Sequence, residues 1–175
     1  MNLFVKYKMG IKYGIAEDLQ EIMNEIASML FPHVKIDSVI CLRSVGSSSR
    51  GVIARCHALG KAMQMAMGRK GFYVIEVISE RFDNQKKEDQ IRTLIHELMH
   101  IPKSFGGGFK YHDYVTDRNV EVEYQRYVNL KKKEEKKEKE KNCKKFKKMM
   151  KGKNRMDDKK YFEKLELAQQ QRIIE

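Results

Sequence analysis

The sequence predicts an α+β domain over residues 1–130, with a small mixed sheet of about three strands. A basic tail over residues 131–175 follows, either an extended helix or disordered. Three observations carry this reading. Apolar residues recur at helical steps in some segments, Val- and Ile-rich runs bounded by turn residues occupy others, and the charge changes character at Lys131.

Taken in order, Ile15, Leu19, Ile22, Ile26 and Met29 mark an amphipathic helix from 16 to 31, which Pro32 closes. Residues 36–45 read as a strand, Gly46-Ser47-Ser48-Ser49-Arg50-Gly51 as a turn, and residues 52–59 as a second strand. Together the two strands resemble a hairpin. Residues 60–68, with Met63, Met65 and Met67, are too short to assign, and the methionines suit core filling. Residues 72–78 form the clearest strand in the chain. Asp83 or Asn84 caps the next helix, 85–101, and Pro102 stops it. Gly106-Gly107-Gly108 makes a flexible loop, and a last helix starting between Thr116 and Asn119 can run on into the tail.

Of the net charge of +12, residues 1–130 carry +3, residues 131–160 carry +10 and residues 161–175 carry −1. The run from Lys131 to Lys141 favours helix but has almost no apolar stripe to bury. It reads either as an electrostatic arm for nucleic acid or another polyanion, through residues 131–160, or as a solvated tail whose glutamates weaken the field. Beyond it, Cys143, Phe146, Met149 and Met150, and then Phe162, Leu165, Ala168 and Ile173, form weak apolar faces. No run of about 18 apolar residues predicts a membrane span. Residues 1–8 lack a signal-like apolar segment, and three cysteines do not make a secreted disulfide scaffold, so a cytoplasmic protein is expected.

The chemistry lies in His96-Glu97-Leu98-Met99-His100, an H-E-x-x-H sequence. A shuffled chain of this composition contains one with a probability of roughly 0.013, so chance is a poor explanation. On a helix the two histidines sit one turn apart and can converge on one ion. At 100° per residue they fall roughly 140° and 180° from Ile91, away from the arc of Ile91, Leu94, Ile95 and Leu98. That directs them to a cleft or to solvent. Glu97 reaches a water on the ion without binding the ion, the position of a general base.

A catalytic zinc takes three protein ligands. His112 is the first candidate for the third, because Pro102 ends the helix and the glycines let Tyr111-His112-Asp113 return over the ion. Asp113, Glu121 and Glu123 are the competitors. Tyr111, Tyr114 and Arg118 are within range to stabilise an oxyanion, with nothing to select among them. Cys41 and Cys56 are placed to face each other across the hairpin as free thiols, a metal site of these with His57 lacks C-x-x-C spacing, and His33 has no visible partner.

The stretch from Ile91 to His112 resembles the small HExxH metallopeptidases of archaea and phages and, more distantly, the SprT-like group and other zincin proteases. The resemblance is specific over residues 72–124. It implies a zincin-like domain at 1–130, with zinc on His96, His100 and His112 and Glu97 as general base. By the same analogy the strand at 72–79 lines the cleft and offers a free edge to an extended peptide. Lys103 and Gly106 stand where the metzincin pattern has Gly and His, which leaves the third ligand open. The expected function is zinc-dependent peptide hydrolysis. The alternatives are a polyanion-associated protein acting through its tail, and a regulatory factor whose metal site is structural.

Overall fold

The computed structural model describes residues 10–150, without the side chains of 148–150. The expectations on residues 1–8, on Phe162, Leu165, Ala168 and Ile173, and on the side chains of Met149 and Met150 lie outside the described residues. The elements are β1 (Lys12–Ile15), α1 (Glu17–Leu30), a 3₁₀ turn (Ile36–Ser38), β2 (Val39–Val45), β3 (Ala54–Ala58), α2 (Lys61–Ala66), β4 (Tyr73–Ile78), α3 (Ser79–Phe82), α4 (Lys87–Met99) and α5 (Asp117–Met150). The chain divides into two compact units, Met1–Leu130 and Lys131–Glu175.

The fold is α+β around one open sheet of four strands, in the order β1-β2-β4-β3. β2 and β4 run parallel, while β1 and β3 pair antiparallel on the outside. Tyr73, Ile75 and Val77 of β4 and Val39 and Cys41 of β2 alternate onto one face of the sheet. There they meet Leu19, Met23 and Ile26 of α1 and Leu94, Ile95 and Leu98 of α4. Val120, Tyr124 and Tyr127 on the first turns of α5 complete the same core. Leu94, Ile95 and Leu98 have no exposed surface, so truncating any one to alanine costs about 2–5 kcal/mol and loosens the helix that carries the histidines.

Several expectations are corrected. The sheet has four strands, not about three: β1 has every residue exposed and contains Gly14, so it leaves no alternating pattern in the sequence. The segments at 36–45 and 52–59 do not form a hairpin, because β4 lies between β2 and β3. The connecting loop is held beside the end of β4, where Gly46 N–H donates to Glu80 (2.6 Å) and Arg81 donates to the carbonyls of Ser49 and Val52. β4 therefore has no free edge, and the strand that lines the cleft is β3. Cys41 and Cys56 flank Ile75 from opposite sides, about 10 Å apart at two strand spacings, too far to face each other or bridge. Burial pushes both thiols up to about 12.

Neither Asp83 nor Asn84 caps α4. Lys86 holds the N-cap position without a side-chain hydrogen bond, and Glu88 and Asp89 in the first turn complement the helix dipole instead. Thr116 caps α5, its hydroxyl accepting from Asn119 N–H (3.3 Å). The helix continues to Met150, so the tail is helical at least that far.

Candidate metal centre

α4 packs Leu94, Ile95 and Leu98 into the core and turns His96 and His100 toward the opposite side, near the strand edge of β3. The helix ends at His100, where Pro102 follows and the chain leaves through the glycine loop. It comes back at Lys110, which pairs with His100 twice. Lys110 N–H donates to the His100 carbonyl (2.8 Å), and His100 Nδ1–H donates to the Lys110 carbonyl (2.7 Å). That second bond puts the proton of a neutral His100 on Nδ1 and leaves the Nε2 lone pair free.

The return is not flexible. Tyr73 Oη accepts from Gly107 N–H (3.0 Å) and donates to the Gly108 carbonyl (3.0 Å). Gln64 Nε2 donates to Gly106 O (2.9 Å) and to Leu59 O (2.6 Å). Gly107 has φ +86, and a side chain there would collide with Gln64 and the Leu59 carbonyl. The glycines are needed for close approach and a left-handed turn, and the loop they form is pinned to β4 and α2. A tight turn then follows, in which Val115 N–H donates to Tyr111 O (3.0 Å), and it presents His112.

The outcome is a cluster of three imidazoles. The candidate ligand atoms of His96, His100 and His112 lie within 4.8 Å of one another, and the Nε2 atoms of His96 and His100 are 3.2 Å apart. Nitrogens bound to one tetrahedral zinc at 2.0–2.1 Å stand about 3.3 Å apart, so the donor set fits such an ion. Burial, then the neighbouring imidazoles His100 and His112, lower His96 to about 4, against a weak opposing pull from Asp117. Burial also lowers His100, with His112 adding to it and the Lys110 hydrogen bond opposing. Both are neutral at neutral pH, the form that offers a lone pair to a cation.

Glu97 is only 6 % exposed. Burial raises its carboxyl to about 7, and a hydrogen bond from Cys56 N–H on β3 partly offsets the rise. The competitors for third ligand are engaged elsewhere. Asp113 accepts from Tyr114 N–H (3.0 Å), Glu121 pairs with Arg92 (2.8 Å), and Glu123 pairs with Arg126 (3.3 Å). Of the three oxyanion candidates, Tyr111 lines the cleft, Tyr114 lines a separate cavity beside Leu30 and Phe31, and Arg118 is exposed at the start of α5 outside the cleft lining. His57 faces Glu76 (2.8 Å) on the other side of β3, not Cys56, and His33 meets the Ile101 carbonyl (3.2 Å). Sequence reasoning did not reach the Cys56 amide or the Lys110 carbonyl. Both act through the backbone, which carries no residue-type signal. Tyr73 could have been suspected as a buried hydroxyl in need of a partner.

A cleft passes over this cluster. Two cavities, of about 550 and 500 Å³, share Val52, Ala54, His96, Glu97 and His112 as a common wall. An α+β sheet with three clustered histidines and a buried glutamate at the edge of such a cleft defines a candidate metallohydrolase. The chain belongs to the family described as "Putative phage metallopeptidase", whose model matches residues 11–151. Membership implies a metal and a peptide substrate. No curated protein and no solved structure matches the chain. Among the described residues no helix is long and apolar enough to cross a membrane.

Proposed function

We propose that the chain is a zinc-dependent peptidase in which His96, His100 and His112 hold the metal and Glu97 is the general base. The observation that carries this reading is the three-histidine cluster, with the buried carboxyl of Glu97 beside it and a cleft across it. Zinc bound there would supply an acidified water and a Lewis acid for the substrate carbonyl. Glu97 takes the proton of the attacking water and hands it to the departing amine, so the carbonyl carbon gains an oxygen as the C–N bond breaks. Burial suits Glu97 to this exchange, because desolvation raises the carboxyl's affinity for a proton and makes it a better base than an exposed glutamate. Lys110, through its carbonyl, keeps the His100 lone pair aimed at the ion.

β3 provides the place for substrate. Leu59 N–H and Ile53 C=O bond to β4, so the alternate residues Ala54, Cys56 and Ala58 direct their backbone groups outward. Cys56 N–H is taken by Glu97, while Ala54 and Ala58 are positioned to pair with an extended peptide. The protein should purify with, or take up, one equivalent of zinc by elemental analysis, and His96→Ala should abolish the uptake. Glu97→Gln should keep the metal and lose peptide cleavage. Cleavage at the parental rate in Glu97→Gln would remove Glu97 from the chemistry.

The lysines of α5 between 132 and 147 are exposed, which supports a second role for the tail in binding a polyanion such as nucleic acid. Salt-dependent retention on DNA that disappears on truncation at Asn129 is the expected result. Unchanged retention after truncation would rule the tail out.

A further inference from the structure

The two cavities that meet at the histidine cluster differ in what else they contain. Besides Cys56 and His100, one takes in Arg55, His57, Phe109, Lys110 and Tyr111, with Tyr111 75 % exposed and Phe109 40 %. The other is completed by Ile53, Val120, Thr93, Arg92, Glu121 and Asp117. In this second cavity the charges of Arg92 and Glu121 are already spent on each other. Arg92 Nε donates to Glu121 (2.8 Å), its Nη1 reaches Asp89 (3.2 Å), and its guanidinium lies 3.9 Å over the Tyr124 ring. Gln125 occupies the other Glu121 oxygen (2.8 Å).

Asp117 is different. Its exposed carboxylate makes no hydrogen bond or ion pair among the described residues. It lies outside the group of ligand atoms that gather within 4.8 Å, yet it lines the same cavity as His96, Glu97 and His112. It is therefore close to the reacting centre, on the cavity wall, and uncommitted. A lone carboxylate in a cavity of about 550 Å³ with Ile53 and Val120 beside it offers an apolar wall for a methylene chain and an anion for its end.

We propose that Asp117 selects a basic side chain, lysine or arginine, on one side of the cleaved bond, opposite a subsite where Phe109 and Tyr111 offer aromatic surface. The proposal rests on the peptidase reading above and adds its substrate class. Asp117 acts by binding the substrate, so it is a specificity residue with no part in the proton transfers. An exposed ion pair of this kind is worth up to about fivefold. The repulsion of a Glu in the same place widens a Lys-over-Glu preference to about five- to tenfold, which salt should weaken.

The test uses the full-length, zinc-loaded protein and peptides in which Lys, norleucine or Glu is stepped through each position on both sides of the cut. The parent should favour Lys over Glu about five- to tenfold in kcat/KM at positions on one side only. Asp117→Asn should level that preference and Asp117→Lys should invert it. The same order should appear as Kd values by fluorescence anisotropy with Glu97→Gln protein, which does not depend on turnover. A parent that cleaves none of the peptides counts against the peptidase reading, while the anisotropy measurement still judges Asp117. Cleavage or binding with a charge preference that Asp117→Lys leaves unmoved would overturn the proposal. Loss of zinc from Asp117→Asn would overturn it as well, by making Asp117 part of the metal centre.

Discussion

Two glutamates, Glu97 and Glu76, are nearly sealed from solvent, at 6 % and 2 % exposure, and they end in opposite states. Glu97 sits at the edge of the sheet on the side of α4, where burial raises it to about 7 and only one backbone N–H opposes the rise. Glu76 sits on the other face of β4. Burial alone would raise it too, but hydrogen bonds from Ser44 and His57 and the charge of Arg55 outweigh that, and its carboxyl is lowered. Arg55 Nη1 reaches both oxygens (3.3 and 3.4 Å) and His57 Nε2 the second (2.8 Å). Burial does not decide what a carboxylate does; its partners do. Supplied with cations, Glu76 ties the edge strand β3 to the centre of the sheet. Left without them, Glu97 keeps a raised carboxyl beside three imidazoles, as the proposed general base requires.

The same substitution at both positions should separate the two roles. Glu97→Gln is expected to lower kcat/KM by about 10²–10⁴, the usual worth of a general base, while thermal unfolding stays close to the parent. Glu76→Gln is expected to do the reverse. It loses the charge-assisted bonds of Arg55 and His57 and should cost about 1–3 kcal/mol in urea unfolding, with cleavage per folded molecule largely kept. A Glu76→Gln protein that is as stable as the parent would break the comparison.

Acid should sharpen it. The folded-state carboxyl of Glu76 lies below its ordinary value of 4.5, so its contribution is present above that value and is lost as pH falls through the folded one. Parent and Glu76→Gln should therefore differ most near pH 7 and converge as pH falls below 4.5 and through the lowered folded-state value in chemical denaturation. The smallest effect belongs to Tyr73, whose hydroxyl holds Gly107 and Gly108. Tyr73→Phe should cost about 1–2 kcal/mol. It should also weaken zinc retention up to about tenfold, measured by competition with a chelator, because the loop that returns His112 is loosened.

The three-histidine cluster was legible in the sequence to the extent that it is local. His96 and His100 are one helical turn apart wherever that helix goes, and a proline followed by glycines signals a reversal that brings His112 back. The sheet was harder to read. Neighbouring segments pair more often than not, which favoured a hairpin between 36–45 and 52–59. β4 displaced that pairing because nearly every one of its residues is apolar, so it is driven to the centre with strands on both sides, while the half-buried β3 takes the edge. Moving the free edge from β4 to β3 changed which strand is available to the proposed substrate. It also explains Glu97, since only an outward-facing edge amide such as that of Cys56 is available to bind it.

By itself, the sequence determined the helical register of the histidines, the position of the glutamate between them, the reversal after Pro102 and the charge boundary at Lys131, because each depends on residues close together in the chain. The strand order, the partners that drive Glu97 and Glu76 apart, and the uncommitted carboxylate of Asp117 were decided only by tertiary structure. Each depends on which distant groups come within a few ångströms, and spacing along the chain does not encode that distance.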